Sequence, residues 1–496
     1  MASDRHAAQP AGIPRVSQRV LAILAAAALA FGFGYAAAAA PRQGAAGNGR
    51  PINSGPSTTS GFGQAQSLQV SAPLAGPLFV SPFSDDHLLG DWGGLHRWFA
   101  DRGVVVNLDW LTENAGNITG GRRKGFDFSG QVALSVDVDL EKILGWNETA
   151  FHFLAVNGNG RSLSPDYLGD GLAAPQEIYG GRGNVVAHLV WAYGEKAFFD
   201  KHLNIAGGWL PVGSFFAASP LNCRLMNVIT CGNPHPLPNY PGEADWPQAS
   251  FGGIARYWFS PEFYAMAGLF SVENDFGTGG GGSSGWAWAD PHKSGVSVPV
   301  ELAWIPTFGR DKLIGHYKIG FDHDTHRYPD VFNTALPETR RVSHPRDMWY
   351  VTVDQMLVRQ GPGLTDGLIA FGGFVHGSAN VSPLKAQVFA GLTTTGAAWH
   401  RRADTVSVAW HVLQMSSAFT RAQEAAEFAG AAFPLSIDGF SAYGPQNTEQ
   451  LAEADYAIAL CSGVTVMPDF QYMIRPGATT RTPDAAILGF RSNINF

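Results

Sequence analysis

The stretch that decides the fold is "DAAILGFRSNINF", Asp484 to Phe496. Its residues fall into two interleaved series. One is largely apolar: Ala486, Leu488, Phe490, Ser492, Ile494 and Phe496. The other is mostly polar: Ile487, Gly489, Arg491, Asn493 and Asn495. Successive side chains of a β-strand point to opposite faces of the sheet, so this pattern predicts a strand with one apolar and one polar face.

The same alternation recurs along the chain from Val104 onward. The clearest segments are "VVVNLDWLTE", "QVALSVDVDL", "VSVPVELAW", "HYKIGFDHD", "WYVTVDQMLV", "EADYAIAL" and "VTVMPDFQYMI". Weaker ones lie near 149–158, 185–194, 202–211, 250–259, 262–273, 366–376, 382–392 and 404–414. With the final strand the total is about sixteen, an even number of strands of the length that a tilted membrane strand requires.

The connections between these segments alternate between long and short. Long ones are predicted near 114–129, 159–184, 212–249, 274–295, 325–347 and 415–448, and short ones near 141–148, 195–201, 260–261, 306–312, 359–365 and 461–463. The segment after 376 is short where a long loop is due. A transmembrane barrel with short turns on one side and long loops on the other has this rhythm.

Composition supports an exported all-β protein. Of 496 residues, only 15% are charged, against roughly 25% in a typical soluble domain, and there are 60 glycines. The net charge of −8 argues against a nucleic-acid partner.

The chain divides into four predicted regions. Residues 1–40 have a basic start, an apolar middle and a small-residue exit, which indicates a secretory signal; a retained membrane anchor is the alternative. Residues 41–83 are rich in Gly, Pro and Ser and predict a flexible linker. Residues 84–103 predict a short amphipathic helix capped by Asp91 and ended by Gly103. Residues 104–496 form the barrel, and no segment beyond the signal is apolar for 18 residues.

The width of the predicted barrel sets the direction of its two faces. About sixteen strands enclose a lumen too wide for wall side chains to fill, so the interior is expected to be wet and the apolar face to contact lipid. Lipid also requires every backbone group to have a strand partner. The last strand is therefore expected to pair with the first, with Phe496 as an aromatic at the barrel rim.

Several segments resemble the carbohydrate-selective porins (OprB type) of bacterial outer membranes. "LLGDWGGLHRWFADRGV" is similar to the family's N-terminal motif, although His96 stands where Arg is usual. "PDFQYMIRPG" with "AAILGFRSNINF" is similar to its terminal block, and "GGWLPVGSFF" and "CGNP" to internal landmarks. The resemblance covers about Leu88 to Phe496. It implies a sixteen-stranded outer-membrane barrel that admits small neutral sugars, with Phe496 read by the barrel-assembly machinery.

Candidate pore-lining residues follow from the polar series of each strand. They are Asp109, Arg256, Trp258, Glu301, Lys318, Asp322, Asp354, Lys385, Glu453, Asp455, Asp469 and Arg491. Opposite charges across a wet pore give a transverse field without a single sign, which suits a neutral sugar. For each carboxylate the alternatives are a solvated wall or a wall–wall ion pair. Trp258 beside Arg256 is a candidate sugar-stacking ring, with a rim girdle as its alternative.

The remaining motifs predict little chemistry. Cys223 and Cys231 lie in the longest loop and are able to form a disulfide in an oxidising compartment, while Cys461 is left over. The 212–249 loop, which also carries Arg224, is the candidate constriction loop. "DHDTH" (322–326) is interpreted as the polar end of a strand rather than a cation site, and "GGSSG" (281–285) lacks the strand–turn–helix context of a nucleophile. We expect no metal, no cofactor and no enzyme activity.

Four functional hypotheses remain. The first is a passive, sugar-selective outer-membrane porin, with outer-membrane lipids around it. The second is a less selective channel for polyols or organic acids. A lipid-hydrolysing barrel enzyme and an adhesion barrel with a plugged lumen are the others.

Overall fold

The computed structural model describes residues 87–176, 178, 184–219, 221–229, 247–273, 285–286, 293–332, 342–431 and 443–496. The predicted signal and linker lie outside these residues, as does Cys231, and the predicted helix region is described from His87.

Within the described residues, seventeen strands form one antiparallel sheet. They are β1 (Val104–Thr119), β2 (Gly125–Asp139), β3 (Thr149–Gly160), β4 (Val185–Phe198), β5 (Leu203–Leu210), β6 (Ser250–Ser260), β7 (Phe263–Glu273), β8 (Lys293–Trp304), β9 (Thr307–Phe308), β10 (Leu313–Pro329), β11 (Ser343–Arg359), β12 (Gly367–Gly377), β13 (Leu384–Gly396), β14 (Arg401–Met415), β15 (Thr448–Cys461), β16 (Val464–Ile474) and β17 (Ala485–Asn495). The helices are α1 (Leu95–Ala100), α2 (Leu140–Leu144) and α3 (Ser417–Phe428).

The sheet closes into a barrel of sixteen strands. β1 pairs with β2 on one side and with β17 on the other, in a register that sets Glu113 opposite Arg491. Beyond β17, the backbone N–H of Phe496 donates to the carbonyl of Leu108 at 2.9 Å. The two-residue β9 continues β8 along the same neighbour, β10, and does not add a position around the barrel. Closure satisfies the backbone groups of the first and last strands, as predicted.

The two faces of the wall have the predicted direction. On the outer face, Leu488 and Phe490 are 51% and 44% exposed. Arg491, the next residue of the same strand, is on the inner face and is 7% exposed. Trp110, Leu134, Leu302, Ile319 and Trp349 are further large apolar side chains exposed on the outside. The barrel is therefore apolar outside and polar within, the reverse of a soluble barrel.

The connections lie alternately at the two ends of the barrel. At one end are the loops L1 (120–124), L2 (161–184), L3 (211–249), L4 (274–292), L5 (330–342), L6 (378–383), L7 (416–447) and L8 (475–484). At the other are the turns T1 (140–148), T2 (199–202), T3 (261–262), T4 (305–312), T5 (360–366), T6 (397–400) and T7 (462–463).

One predicted connection is wrong in length. The first was expected to span 114–129, but β1 and β2 continue through most of that range and leave only five residues in L1. Asn117 holds this tight turn, because its Nδ2 donates to the carbonyls of Gly120 and Arg123 at 2.9 Å each. The short L6 agrees with the sequence.

The segment before β1 lies at the end of the short turns. The N-cap residue of α1 is Gly94. Asp91 Oδ1 nevertheless accepts a hydrogen bond from the backbone N–H of Arg97 in the first turn, at 2.8 Å. Leu88 N–H donates to the Asn495 carbonyl at 2.7 Å, and His96 Nε2 lies 2.5 Å from the Val106 carbonyl. These bonds tie the segment to the rim formed by β1 and β17. In the described part of the chain, no helix combines the length and apolarity needed to cross a membrane.

Candidate functional site

The lumen is narrowed by L3, whose described parts (211–219, 221–229 and 247–249) fold inward onto the wall. The N–H of Ala217 donates to Glu301 Oε2 at 2.8 Å. Lys318 Nζ donates to the carbonyl of Ala218 at 2.5 Å, and Ser219 Oγ donates to Asp354 Oδ2 at 3.2 Å. Side chains from β8, β10 and β11 therefore hold one part of L3 through its backbone and a hydroxyl.

A second set of wall residues holds the following part of L3. Arg491 donates to the carbonyl oxygens of Cys223 and Leu225 at 3.0 and 2.9 Å. Glu453 accepts bonds from Met226 N and Asn227 Nδ2, each at 2.5 Å. The carboxylate accepts hydrogen bonds from N–H groups of the loop, and the guanidinium donates to its carbonyl oxygens. These backbone groups of L3, which are outside regular secondary structure, therefore have hydrogen-bond partners inside the barrel.

L2 folds into the lumen beside L3. Gln176 Nε2 donates to the carbonyl oxygens of Glu113 and Asp127 at 2.9 and 3.2 Å, and Gln471 Nε2 donates to the Pro175 carbonyl at 3.0 Å. The two loops meet directly where Val228 N–H donates to the Ala174 carbonyl at 3.0 Å. L2 and L3 thus form one inward-folded unit, which we call the inner loop pair.

Apolar side chains of the inner loop pair are buried against the wall. Leu163, Leu168 and Leu172 of L2 and Met226 and Ile229 of L3 share a buried cluster with wall residues such as Met473 and Ile487. Phe216 of L3 packs in a second cluster with Trp191, Tyr193 and Tyr264. The sequence predicted an interior too wide for wall side chains to fill; the loops supply the missing contacts and restrict the open part of the lumen.

The structure locates most of the predicted pore-lining charges on the inner face but covers them. Those buried on the inner wall are Asp109, Glu301, Lys318, Asp322, Asp354, Glu453, Asp455, Asp469 and Arg491. Glu301 and Glu453 are each only 1% exposed because the loop backbone lies over them. Their contacts are those of loop anchors. Strand alternation predicted their direction, but the covering loops carry no such pattern.

Simple alternation does not fix the direction of Lys385. The register of β13 shifts between Leu384 and Ala386, so the inward–outward count fails at this residue. The next residue, Ala386, pairs with His376, whose ring stacks on the outward-facing Trp349 with centroids 5.9 Å apart. Lys385 lies at this irregularity near the loop end of the barrel, and its pore-lining role stays a prediction.

Arg256 and Trp258 form an aromatic and cationic group on the inner wall. Their outward neighbours on β6, Tyr257 and Phe259, are exposed large aromatics, which fixes the parity that the sequence left open. The Arg256 guanidinium lies 5.7 Å from the Trp258 ring and 5.8 Å from the Tyr264 ring. Among the described residues, no atom accepts a bond from the buried Arg256 Nε.

Arg224 is a second cation in the lumen, carried by L3. Its Nη1 donates to Thr393 Oγ1 at 3.0 Å. Burial lowers the pKa of Arg224 from its ordinary value, and the carboxylates of Asp455, Asp366 and Asp354 oppose that shift. A guanidinium remains charged even when it is partly buried. Arg224 is therefore a half-buried cation on L3.

Residues outside the predicted site set complete the arrangement. Glu113 accepts a hydrogen bond from Arg491. The hydroxyls of Tyr264 and Tyr350 each donate a hydrogen bond to Glu301 at 2.6 Å. Glu113 belongs to the polar series of β1 and was detectable by alternation; the tyrosines look like ordinary strand residues. In "DHDTH", Asp324 pairs with Arg346 at 3.3 Å, and the described residues contain no cluster able to hold a metal ion.

Taken as geometry, these features define a class. A closed sixteen-stranded antiparallel barrel with an apolar exterior, a polar interior and loops folded into the lumen is a porin of the bacterial outer membrane.

Comparisons with known proteins give the family. The profile of the "Carbohydrate-selective porin, OprB family" matches residues 123–496. Porin B of Pseudomonas aeruginosa is 27% identical over 425 residues, covering 82% of this chain and 90% of its own, and the putative porin QuiX of Acinetobacter baylyi is 27% identical over 422 residues, covering 82% and 93%. The high-pH structure of Pseudomonas putida OprB superposes with a TM-score of 0.74 at 26% identity, covering 83% of this chain and 99% of that one.

The chain belongs to the carbohydrate-selective porin family, OprB. It is a sugar-selective porin of the outer membrane, and the resemblance noted in the sequence is confirmed.

Proposed function

We propose that small sugars diffuse past the inner loop pair and contact Arg256, Trp258 and Arg224 on the way to the periplasm. The observation that carries this proposal is the inward Trp258 ring beside an Arg256 whose buried Nε has no described acceptor. An aromatic face stacks on the apolar side of a sugar ring, and a guanidinium donates to its hydroxyl groups.

The covered carboxylates support selectivity for neutral solutes. The carboxylates of Glu301 and Glu453 accept hydrogen bonds from loop N–H groups, and Glu301 also accepts them from two tyrosine hydroxyls. Their charge is therefore not exposed to the open lumen. Such a wall lacks the strong field of one sign that selects ions. In this proposal the predicted acidic residues shape the pore by positioning L3, and solute recognition rests on the three less covered groups.

The test is solute uptake into liposomes that contain the purified porin. We expect Trp258→Ala to reduce swelling in glucose about 5-fold, as for loss of one stacking contact of about 1 kcal/mol, with little change for a size-matched amino acid. Trp258→Phe is expected to retain most of the sugar rate. Trp110→Ala, which removes a tryptophan from the lipid-facing side, is the matched control.

The competing hypothesis is a less selective channel for polyols or organic acids. It predicts equal swelling rates for sugars and size-matched amino acids in the unaltered protein and no sugar-specific effect of Trp258→Ala. Sugar block of single-channel conductance provides a second measurement, because a nonselective channel shows none.

Three further proposals complete the assignment. The protein acts as a channel rather than as an enzyme. Its partners include the surrounding outer-membrane lipids and, during biogenesis, the barrel-assembly machinery, which reads the terminal aromatic Phe496. Deleting Phe496 is expected to slow insertion into membranes that contain that machinery while leaving folding in detergent intact, and equal loss of both would contradict its role as a recognition mark.

A further inference from the structure

The inner wall formed by β1 and β17 continues on the periplasmic side of the L3 anchors. Arg491 binds the carbonyls of L3, and Asn493 and Asn495 follow it in the inward-facing series of β17. A strand rises about 3.3 Å per residue, so these two residues lie roughly 7 and 13 Å beyond Arg491 toward the end of the short turns. That end faces the periplasm in outer-membrane barrels. Both asparagines are half-buried, whereas Arg491 is covered by L3. This part of the wall is therefore in contact with the lumen beyond the constriction.

Asp109 lies beside the two asparagines on the same face of the sheet. It is directly opposite Asn495 in the pairing of β1 with β17, and Asn493 is its diagonal neighbour. On the other side, Gln131 of β2 is diagonal to Asp109, because Asp109 pairs with Ala133. Side chains directly opposite on one face have Cβ atoms about 5 Å apart, and diagonal ones about 7–8 Å. The register thus brings four polar side chains together on three adjacent strands.

Each of these four side chains has a polar atom that lacks a hydrogen-bond partner among the described residues. Asp109 is only 3% exposed, and its Oδ1 accepts no bond. The same holds for Oδ1 of Asn493, Oδ1 of Asn495 and Nε2 of Gln131. Buried polar groups are normally hydrogen-bonded, because an unpaired one loses the bond that it made to water. Four unpaired atoms in neighbouring positions indicate a polar solute that supplies the partners.

The backbone that carries these side chains is held firmly at the barrel rim. The N–H of Asn495 donates to the Gly463 carbonyl at 2.7 Å, and its own carbonyl accepts a bond from Leu88 N–H at 2.7 Å. The N–H of Phe496 donates to the Leu108 carbonyl at 2.9 Å, next to Asp109. A binding site on such a fixed sheet is preorganised, because its groups do not have to be ordered when the solute arrives.

The chemistry of the four groups favours a neutral solute with several hydroxyls. An amide offers both a donor and an acceptor, and so does a sugar hydroxyl, whereas a carboxylate only accepts. A sugar hydroxyl is therefore able to donate to Asp109. A carboxylate on the solute has no donor for Asp109 and brings a charge of the same sign close to it.

We propose that Asp109, Asn493 and Asn495 form an exit subsite that binds the hydroxyls of neutral hexoses and disfavours sugar acids. Gln131 supplies a donor beside Asp109. This exit subsite rests on the sugar pathway proposed above, but it lies on a different part of the wall, because the strands β2 to β5 separate β1 from the Arg256 group on β6. The two places also depend on different properties of the solute. Trp258 contacts the face of the sugar ring, whereas Asp109 distinguishes a hydroxyl from a carboxylate.

The test compares the fluxes of radiolabelled glucose and glucuronate into proteoliposomes that contain the full-length porin. Both solutes are pyranose rings of similar size, and glucuronate carries a carboxylate where glucose has a hydroxymethyl group. Asp109→Asn removes the like charge, so the ratio of glucuronate flux to glucose flux is expected to rise about 5-fold. Asn495→Leu loses one hydrogen bond and is expected to lower glucose flux about 5-fold, whereas Asn495→Ser retains a hydroxyl and most of the flux. The matched control is Asn114→Leu, since Asn114 belongs to the outward-facing series of β1.

Two results would overturn the exit subsite: an unchanged flux ratio in Asp109→Asn, or equal effects of Asn495→Leu and Asn114→Leu on glucose flux. Trp258→Ala is expected to lower both fluxes without changing their ratio, because it acts on the ring that both solutes share. A raised ratio in Asp109→Asn together with no effect of Trp258→Ala would reject the Trp258 contact and support the exit subsite. The reverse pair of results would reject the exit subsite alone. Single-channel conductance of each variant verifies that a folded barrel has inserted.

Discussion

Arg491 and Glu113 form a buried ion pair across the two strands that close the barrel. Arg491 Nη2 and Nε lie 2.7 and 2.9 Å from Glu113 Oε1, and the two residues are directly opposite in the pairing of β17 with β1. The remaining donors of the same guanidinium bind the carbonyls of Cys223 and Leu225 in L3. One side chain thus links barrel closure to the position of the constriction loop.

Replacing Arg491 by Met is expected to destabilise the protein and to loosen L3. Glu113 is fully buried, so loss of its partner leaves an uncompensated charge, which costs about 3–5 kcal/mol in buried pairs. L3 also loses two backbone anchors, so single-channel conductance is expected to rise and to fluctuate more. The measurements are the free energy of unfolding in urea and planar-bilayer conductance.

The double variant Glu113→Gln with Arg491→Met separates these two effects. It removes the unpaired charge, so stability is expected to recover in part, while the L3 carbonyls remain without donors and conductance stays altered. Recovery of both stability and conductance would show that Arg491 acts on the loop only through barrel stability.

The sequence predicted the barrel well because alternation with a period of two is a local property of each strand. It correctly directed Arg491 inward and Leu488 outward from the same thirteen residues. It does not fix the direction of Lys385, because a shift in register changes the count at this residue and nothing in the local composition marks that shift.

The constriction was only partly predictable. The length of L3 identified it as a candidate, but its docking depends on contacts between residues far apart in the chain, such as Met226 with Glu453. The burial of Glu301 follows from the same nonlocal contacts, so its role as a loop anchor was not visible in the alternation of β8. The sequence of a single strand thus predicts which side chains face the lumen. The contacts that form the constriction depend on the assembled barrel.

Tyr350 and Tyr264 provide a matched pair for testing loop anchoring. Both hydroxyls donate to Glu301 at 2.6 Å, but only Tyr350 also accepts a bond from the Ala217 N–H of L3, at 3.2 Å. A bond to a charged group contributes about 1.5–3 kcal/mol, so Tyr350→Phe and Tyr264→Phe are expected to lower the free energy of unfolding by similar amounts. Conductance is expected to change more in Tyr350→Phe. Equal conductance changes in the two variants would contradict a direct hold on L3.

Reduction of the disulfide at Cys223 is expected to loosen L3. Cys223 is disulfide-bonded and its carbonyl accepts a bond from Arg491, so the bridge and the anchor act on the same residue. We propose Cys231 as its partner, a pairing that the spacing allows, and peptide mapping under nonreducing conditions checks it. Dithiothreitol is expected to increase open-channel noise in the unaltered protein and in Cys461→Ser, which removes the free cysteine. A Cys223→Ser variant that still responds to the reductant would show that another bond is involved.

The docking of L2 is expected to weaken as the pH rises. Asp170 is fully buried in L2, and its carboxyl accepts bonds from Leu172 N–H at 2.7 Å, Ala173 N–H at 3.2 Å and Ser164 Oγ at 3.3 Å. Burial raises the pKa of Asp170 above its ordinary value, although these hydrogen bonds and the nearby Glu449 carboxyl act in the opposite direction. Because the folded pKa is the higher one, the stabilisation is complete below the ordinary pKa and is lost as the pH rises through the raised pKa.

Asp170→Asn tests this dependence directly. The amide keeps an oxygen for the loop N–H groups and does not titrate, so it imitates the neutral acid. Hydrogen exchange of L2, corrected for the intrinsic pH dependence of exchange, is expected to become faster with rising pH in the unaltered protein and to remain constant in the variant. Ser164→Ala, which removes a neutral donor to Asp170 at 3.3 Å, serves as the control and is expected to keep the pH dependence. If Asp170→Asn retained the same pH profile, titration of Asp170 would not control L2.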